Sequence, residues 1–169
     1  MEKVEINKTM HLSEHITLGE VTKSRHAEIY NIPSHAAIEN LKRVCAWLEE
    51  LRRRYNLRYV LRSVSPPKLG GEIDTEEPII INSGYRSPEL NKKVGGSPTS
   101  NHLTGCAVDI RVAGIEQALR YAVILMDYAD ETRQDYDEIL IEKNRYGAIW
   151  LHFAVRPKDN RRKTMFLQV

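Results

Sequence analysis

The stretch Ser100-Asn101-His102-Leu103-Thr104-Gly105-Cys106-Ala107-Val108-Asp109 sets a histidine and an aspartate seven residues apart, with a glycine between them. Gly105 permits a tight turn. Asp109 reads as a strand residue whose neighbours Val108 and Ile110 face the opposite way. A histidine entering a turn and an aspartate on the following strand can converge on one point. A neutral imidazole and a carboxylate suit zinc, and a catalytic zinc takes three protein ligands and keeps one position open. The candidate third ligand is His152, in Trp150-Leu151-His152-Phe153, where Trp150, His152 and Ala154 share one strand face. A histidine among bulky apolar residues needs a partner, and zinc would supply one. Spacing alone leaves plainer readings open: His152 as a hydrogen-bonded core histidine and His102 as a surface loop residue. The zinc motif HExxH is absent from the sequence.

The elements that must position these residues follow from pattern. Thr17 and Glu20 have capping-box spacing and open a short helix predicted through about Tyr30. Pro33 breaks the chain, and Ser34 caps a second helix running to about Tyr55. Its apolar stripe is Ile38, Leu41, Val44, Cys45, Leu48 and Leu51. Tyr59–Val64 reads as a strand. The stretch 57–77, with Ser65-Pro66-Pro67 and Gly70-Gly71, reads as a long irregular loop. Pro78–Asn82 is a buried strand, and Ser87 caps a short helix with Pro88 at its first position. Ala107–Val112 is the next strand. Ile115, Leu119, Ala122, Val123 and Met126 mark the apolar face of a further helix. Asp137–Glu142 and Ile149–Val155 flank a turn as a β-hairpin. The order predicts an α+β fold, N-terminal helices packed on a mostly antiparallel sheet, as a single domain over residues 1–169 with its core at about 12–155.

With 41% hydrophobic and 28% charged residues the chain is an ordinary globular one, long enough to bury a core without disulfides. A net charge of +2 gives no case for nucleic acid, and the runs Arg52-Arg53-Arg54 and Arg161-Arg162-Lys163 read as solvated surface. Cys45 belongs to the helical stripe. Cys106 has no dedicated base nearby and reads as a small packing residue. His11, His15, His26 and His35 match no ligand spacing and read as surface residues. No apolar run approaches the ~20 residues that cross a bilayer. The start MEKVEINKTMHLSEHITL has no basic head followed by an apolar stretch. The expectation is synthesis as a cytoplasmic protein, reaching any target outside the membrane by lysis or another export route. Oligomeric state is not readable from the sequence.

The segment SGYRSPELNKKVGGSPTSNHLTGCAVDI resembles the signature of the D-Ala-D-Ala carboxypeptidase and Hedgehog-like zinc peptidases. The likeness comprises Ser-Gly-Tyr-Arg-Ser at 83–87, Ser-x-His-x-x-Gly-x-Ala-x-Asp at 100–109 and Trp-x-His at 150–152. The stretch LSEHITLGEVTKS is similar to the start of the compact, phage- and prophage-associated branch. Together the likeness spans roughly residues 12–155. It implies zinc held by His102, Asp109 and His152, and hydrolysis of D,D- or L,D-peptide bonds in the stem peptides of bacterial peptidoglycan.

The resemblance also implies roles for three more residues. Many relatives carry the base that deprotonates the attacking water three residues before the last histidine, where this chain has Ile149. In the compact branch it ends the preceding strand, which points to Glu142. A turn centred near Tyr146 would pair Glu142 with Trp150, one diagonal step from His152; a register change of one residue would face it away. The alternative for Glu142 is a solvent-facing carboxylate at a strand end. Arg86 is expected to face substrate and grip a carboxylate or carbonyl through paired hydrogen bonds, the alternative being a surface ion pair. Ser100 is expected either to bond substrate or to cap its loop. Relative to compact relatives, 57–77 reads as an insertion bordering the cleft and restricting substrates. Ile149 and the long hairpin keep a rival in view: a non-catalytic, zinc-stabilised domain that binds cell-wall fragments or a protein partner.

Overall fold

The computed structural model describes residues 6–60 and 76–169. Helix α1 covers Leu18–Thr22, and the Glu20 carboxylate accepts from both the backbone N–H and the hydroxyl of Thr17. It is a single turn and stops well short of Tyr30. The carbonyls that would continue it are taken elsewhere: Tyr85 N–H donates to Val21 at 2.7 Å and the Asn31 amide to Thr22 at 2.9 Å. Tertiary partners thus replace the next helical turn.

Helix α2 spans His35–Tyr55, and the Ser34 hydroxyl accepts from the N–H of Ala37. Ala37, Leu41, Val44, Cys45, Leu48, Leu51 and Tyr55 are buried along one face. Each fully buried leucine contributes about 1.5–3 kcal/mol. The strand expected to begin at Tyr59 does not form there. Asn56–Val60 instead continues α2 as a π-helical turn, and the remainder of the predicted strand Tyr59–Val64 lies outside the described residues. The Asn56 side chain donates to the carbonyls of Arg52 and Glu77 and accepts from Glu77 N–H, tying the widened turn to the returning chain. Most of the stretch 57–77 likewise falls outside the described residues.

Strand β1 is Ile81–Ser83, shorter than and shifted from the predicted 78–82. Helix α3, Pro88–Lys93, starts as expected, with Ser87 accepting from Leu90 N–H. Strand β2 is Ala107–Arg111 and helix α4 is Ile115–Thr132. The hairpin strands are β3, Glu138–Lys143, and β4, Ile149–Ala154. A fifth strand, β5, covers Lys163–Gln168 and carries the ordered fold past the expected core limit of 155. The sheet order is β1-β2-β4-β3-β5. Three pairings are antiparallel; β5 runs parallel to β3. The architecture is α+β with four α-helices and a five-stranded mixed sheet among the described residues.

The face of α4 differs from expectation in part: Ala122 is buried and Met126 packs against the core, but three residues of the expected stripe are not buried. Ile115, Leu119 and Val123 are 44%, 44% and 43% exposed, while Ala118, Tyr121, Ala122, Leu125 and Ala129 are buried. The helix is apolar on more than one side, so periodicity cannot select the buried face. Small alanines permit close approach, and Tyr121 meets Tyr55 of α2 edge-on at 4.8 Å. On α2, Trp47 lies 5.4 Å from Phe153 of β4. One sheet face sends Val108, Ile110, Ile139, Ile141, Leu151 and Phe153 into the hydrophobic core. The alternate residues of the same strands point to the other face.

Candidate metal centre and its cleft

That other face holds the polar residues. Asp109 on β2 stands directly opposite His152 on β4, and Leu140 on β3 stands on the far side of His152. Glu138 and Glu142 therefore flank His152 diagonally, and Glu142 pairs with Trp150 in the expected register.

His102 is brought in by a 3-10 turn, Asn101–Thr104. The Ser100 hydroxyl caps this turn by accepting from His102 N–H, the structural role anticipated as its alternative. Gly105 ends the turn at φ 73°, and a Cβ there would sit 2.5 Å from the Ala37 carbonyl oxygen of α2. The position therefore requires glycine on both conformational and spatial grounds. The His102 Nδ1–H donates to the Gly84 carbonyl at 2.6 Å, which fixes the tautomer and leaves the Nε2 lone pair facing Asp109. Gly84 in turn packs hard on α1: a Cβ would lie 2.3 Å from the Val21 carbonyl oxygen.

Three donor atoms converge. Asp109 Oδ1 lies 3.3 Å from His102 Nε2 and 3.0 Å from His152 Nδ1, and all three residues are buried. The second oxygen of Asp109 accepts from Arg86 Nη2 at 2.6 Å, while Arg86 Nε donates to Ser83 Oγ. Arg86 is thus an inward ion pair, 15% exposed, at the edge of the cleft rather than a free surface group.

The electrostatics of the cluster set the protonation state of each donor. Burial lowers the His102 pKa, which keeps this imidazole neutral. Burial would also lower that of His152, but hydrogen bonds to Asp109 and Glu138 outweigh it and push it up to about 9. Burial would raise the Asp109 carboxyl; the two imidazoles hold it well below the usual carboxylate range instead. A neutral His102, an ionised Asp109 and a His152 that gives up its Nδ1 proton on binding are, within ligand reach of one point, a donor set that zinc accepts. The residues present therefore fit the metal that the sequence implies.

Sequence reasoning missed Glu138. Its Oε2 accepts from His152 Nε2 at 3.1 Å and from Asn101 Nδ2 at 3.0 Å. With Nε2 bonded to Glu138, the nitrogen that faces Asp109 is Nδ1. The partner on the far nitrogen of a ligating histidine sets its orientation and basicity. The His152 hydrogen bond, opposed by burial, holds the Glu138 pKa down to about 2. Asp137, wholly buried, supports the same corner: it accepts from Asn101, from Arg161 and from the Arg161 backbone, and pairs with Arg156. Arg161, exposed as the sequence reading has it, reaches this buried carboxylate from the surface. Strand alternation carried a signal for Glu138, since it lies two and four residues from Leu140 and Glu142 on one face; its contact with the histidine depended on β3 pairing with β4.

Glu142 accepts from Trp150 Nε1 at 2.5 Å. Burial raises its pKa above the ordinary glutamate value, with His152 and Trp150 pulling the other way. Arg86, Ser100, His102, Asp109, Glu142 and His152 all line one open cleft of about 720 Å³. Cys45 and Cys106 are buried, and burial pushes both thiols up, Cys45 to about 12, so neither is a ready nucleophile.

A family model described as Peptidase M15 matches residues 70–136, a span that contains Arg86, Ser100, His102 and Asp109. Over that span the chain is similar to the Peptidase M15 family. The match supports a peptidase, and the cluster that could hold a metal extends past the matched span to His152 on β4. None of the curated proteins compared matches the chain. Among the described residues, no helix is long and apolar enough to cross a membrane.

Proposed function

We propose that the protein is a zinc-dependent peptidase of the D-Ala-D-Ala carboxypeptidase type, cleaving D,D- or L,D-peptide bonds in the stem peptides of bacterial peptidoglycan. The observation that carries this reading is the convergence of His102 Nε2, Asp109 Oδ1 and His152 Nδ1 beside Glu142 in one cleft. Zinc bound by the three ligands would polarise the scissile carbonyl and acidify the attacking water. Glu142 acts as the general base: a carboxylate Oε takes the proton from that water and then passes it to the leaving amine. A carboxyl held above its ordinary value suits both transfers. Trp150 Nε1 fixes the orientation of Glu142. Arg86 neutralises the outer oxygen of Asp109 and, from the cleft edge, can bond a substrate carboxylate or carbonyl. Ser100 shapes the wall through its cap on the His102 turn.

The test is metal content by mass spectrometry on protein purified without a chelating tag, with His102→Ala and Glu142→Gln alongside. About one zinc per chain is expected in the wild type, lost in His102→Ala and kept in Glu142→Gln, which should nonetheless lose turnover of stem peptides. No metal in zinc-replete protein would overturn the reading. Full metal with unchanged stem-peptide binding and no turnover in any variant would favour a non-catalytic, zinc-stabilised binding domain, the role that Ile149 keeps in view.

A further inference from the structure

The two edges of the sheet are built differently. Strand β1 is three residues long, and its register on β2 shifts between Ile81 and Ser83. A short, irregular edge of this kind discourages pairing with another chain. Strand β5, at the other edge, is six residues long and keeps an unbroken register on β3; among the described residues no strand lies on its outer side. Lys163–Gln168 carries no proline, and its one charged residue is Lys163 at the start. Met165, Phe166 and Val169 are 40%, 65% and 55% exposed. The backbone bonds tell which groups face outward. Lys163 N–H donates to the Asp137 carbonyl and Val169 N–H to the Lys143 carbonyl, at the two ends of β3. Alternation along the strand therefore turns the N–H and C=O groups of Thr164, Phe166 and Gln168 to the outer edge. Thr164 and Phe166 stand beside Ile139 and Ile141 on the core face, whereas Met165 and Leu167 stand beside Leu140 and Glu142 on the catalytic face.

We propose that β5 is a homodimer interface, at which a second copy of this chain adds its own β5 antiparallel to the first. One register uses every outward group of the strand: Phe166 opposite Phe166 and Thr164 opposite Gln168, so that each outward N–H meets an outward carbonyl. The side chains match in the same register. On the core face the two phenylalanines adjoin, with a Thr–Gln pair on either side. On the catalytic face Met165 stands opposite Leu167. Lys163 stands opposite Val169, just past the strand, so the charge of one copy never faces that of the other. The strand is thus complementary to itself, which selects a second copy as its occupant. The two-fold axis of such a pair is perpendicular to the sheet, so both catalytic faces lie on one side of it. The two strands that carry His152 are then five strand spacings, about 24 Å, apart. Lys163, Leu167 and Val169 line the catalytic cleft, so Met165 and Val169 of the second copy extend its outer wall. The inference does not depend on the peptidase reading.

The experiment is sedimentation equilibrium of zinc-supplemented protein from about 1 μM to about 1 mM. A pairing of one six-residue strand is smaller than a standard interface, so the wild type should dimerise with a Kd on the order of 10–100 μM. Phe166→Lys and Phe166→Glu each remove the aromatic pair and set two like charges opposite each other. Each should weaken the dimer about tenfold or more. Phe166 is exposed, so both variants should melt with the wild type. An equimolar mixture of the two should recover a one-to-one dimer, because only this register sets the lysine against the glutamate. Leu119→Lys, which charges the exposed side of α4, should dimerise as the wild type does. A wild type that stays monomeric throughout would overturn the proposal and leave the edge to an extended segment of another protein. A dimer untouched by Phe166→Lys, or a mixture that stays monomeric, would overturn it as well.

Discussion

Replacing Glu138 tests whether the second nitrogen of His152 is held as the structure shows. The carboxylate accepts from His152 Nε2 at 3.1 Å and from Asn101 Nδ2 at 3.0 Å on one oxygen, and from Arg161 Nη2 at 2.8 Å on the other. Glu138→Gln keeps an acceptor and the shape but removes the charge. A hydrogen bond to a charged group is worth about 1.5–3 kcal/mol and a neutral one about 0.5–1.5, so the substitution should cost about 1–1.5 kcal/mol in the orientation and basicity of His152. That corresponds to about tenfold in metal affinity. Glu138→Ala removes the acceptor altogether and should approach the ~100-fold upper end for loss of a ligand's outer partner. The assay is competition with a chromophoric chelator for zinc, repeated with cobalt so that the ligand field reports distortion of the site. Thermal unfolding of the metal-free variants separates weakened binding from weakened folding. Glu142→Gln, which alters no ligand, should bind metal as the wild type does. Zinc bound by Glu138→Ala as tightly as by the wild type, with an unchanged cobalt spectrum, would refute the argument.

The packing and the buried charges give four other outcomes. Gly84→Ala should cost about 1–3 kcal/mol through overpacking against the Val21 carbonyl and should also weaken metal binding, since the Gly84 carbonyl orients His102; a wild-type melting temperature with wild-type affinity would contradict this. Phe153→Ala, wholly buried against Trp47, should lose about 3–5 kcal/mol in urea unfolding. By contrast Leu119→Lys, on the exposed side of α4, should stay within about 0.5 kcal/mol of the wild type, and a large loss there would restore the face expected from periodicity. Asp137→Asn should destabilise the protein at neutral pH. Burial would raise the Asp137 carboxyl, but Arg161 and Asn101 outweigh it and hold it below its ordinary value. A depressed folded pKa gives stability that is present above the unfolded aspartate value of about 3.9 and is lost as pH falls through the folded one. The stability gap between wild type and variant should therefore close in acid, and a gap constant down to that range would count against the ion-paired state.

The hairpin register was legible because a turn near Tyr146 fixes the pairing of Glu142 with Trp150, and strand alternation then decides every face. The turn carrying His102 was legible from Gly105, and α2 from one unbroken stripe opened by Ser34. What was missed depends on partners distant in sequence. Helix α1 ends early because Tyr85 and Asn31, from elsewhere in the chain, claim its carbonyls. The buried face of α4 was placed only in part, at Ala122 and Met126, because hydropathy ranks Leu119 above Ala118, whereas close packing ranks them the other way. Strand β5 is largely exposed, so it shows little of the apolar alternation that marks a strand. Glu138 looked like one of several strand carboxylates until β4 was laid beside it.

The pairing of Asp109 with His152 also bears on how the chain acquires its site. The β3–β4 hairpin is local and closes over a short turn, whereas Asp109 reaches His152 across a separation of 43 residues that includes all of α4. Loop closure of that kind comes late, after local contacts have formed. The candidate ligands are therefore brought together by the docking of β2 on β4 and not by the hairpin itself, a step that loop closure places late in folding. An ion bound between Asp109 and His152 would act as a reversible cross-link on the longest-range strand pairing of the sheet. It would stabilise the native chain by mass action, and its removal would first weaken the β2–β4 seam.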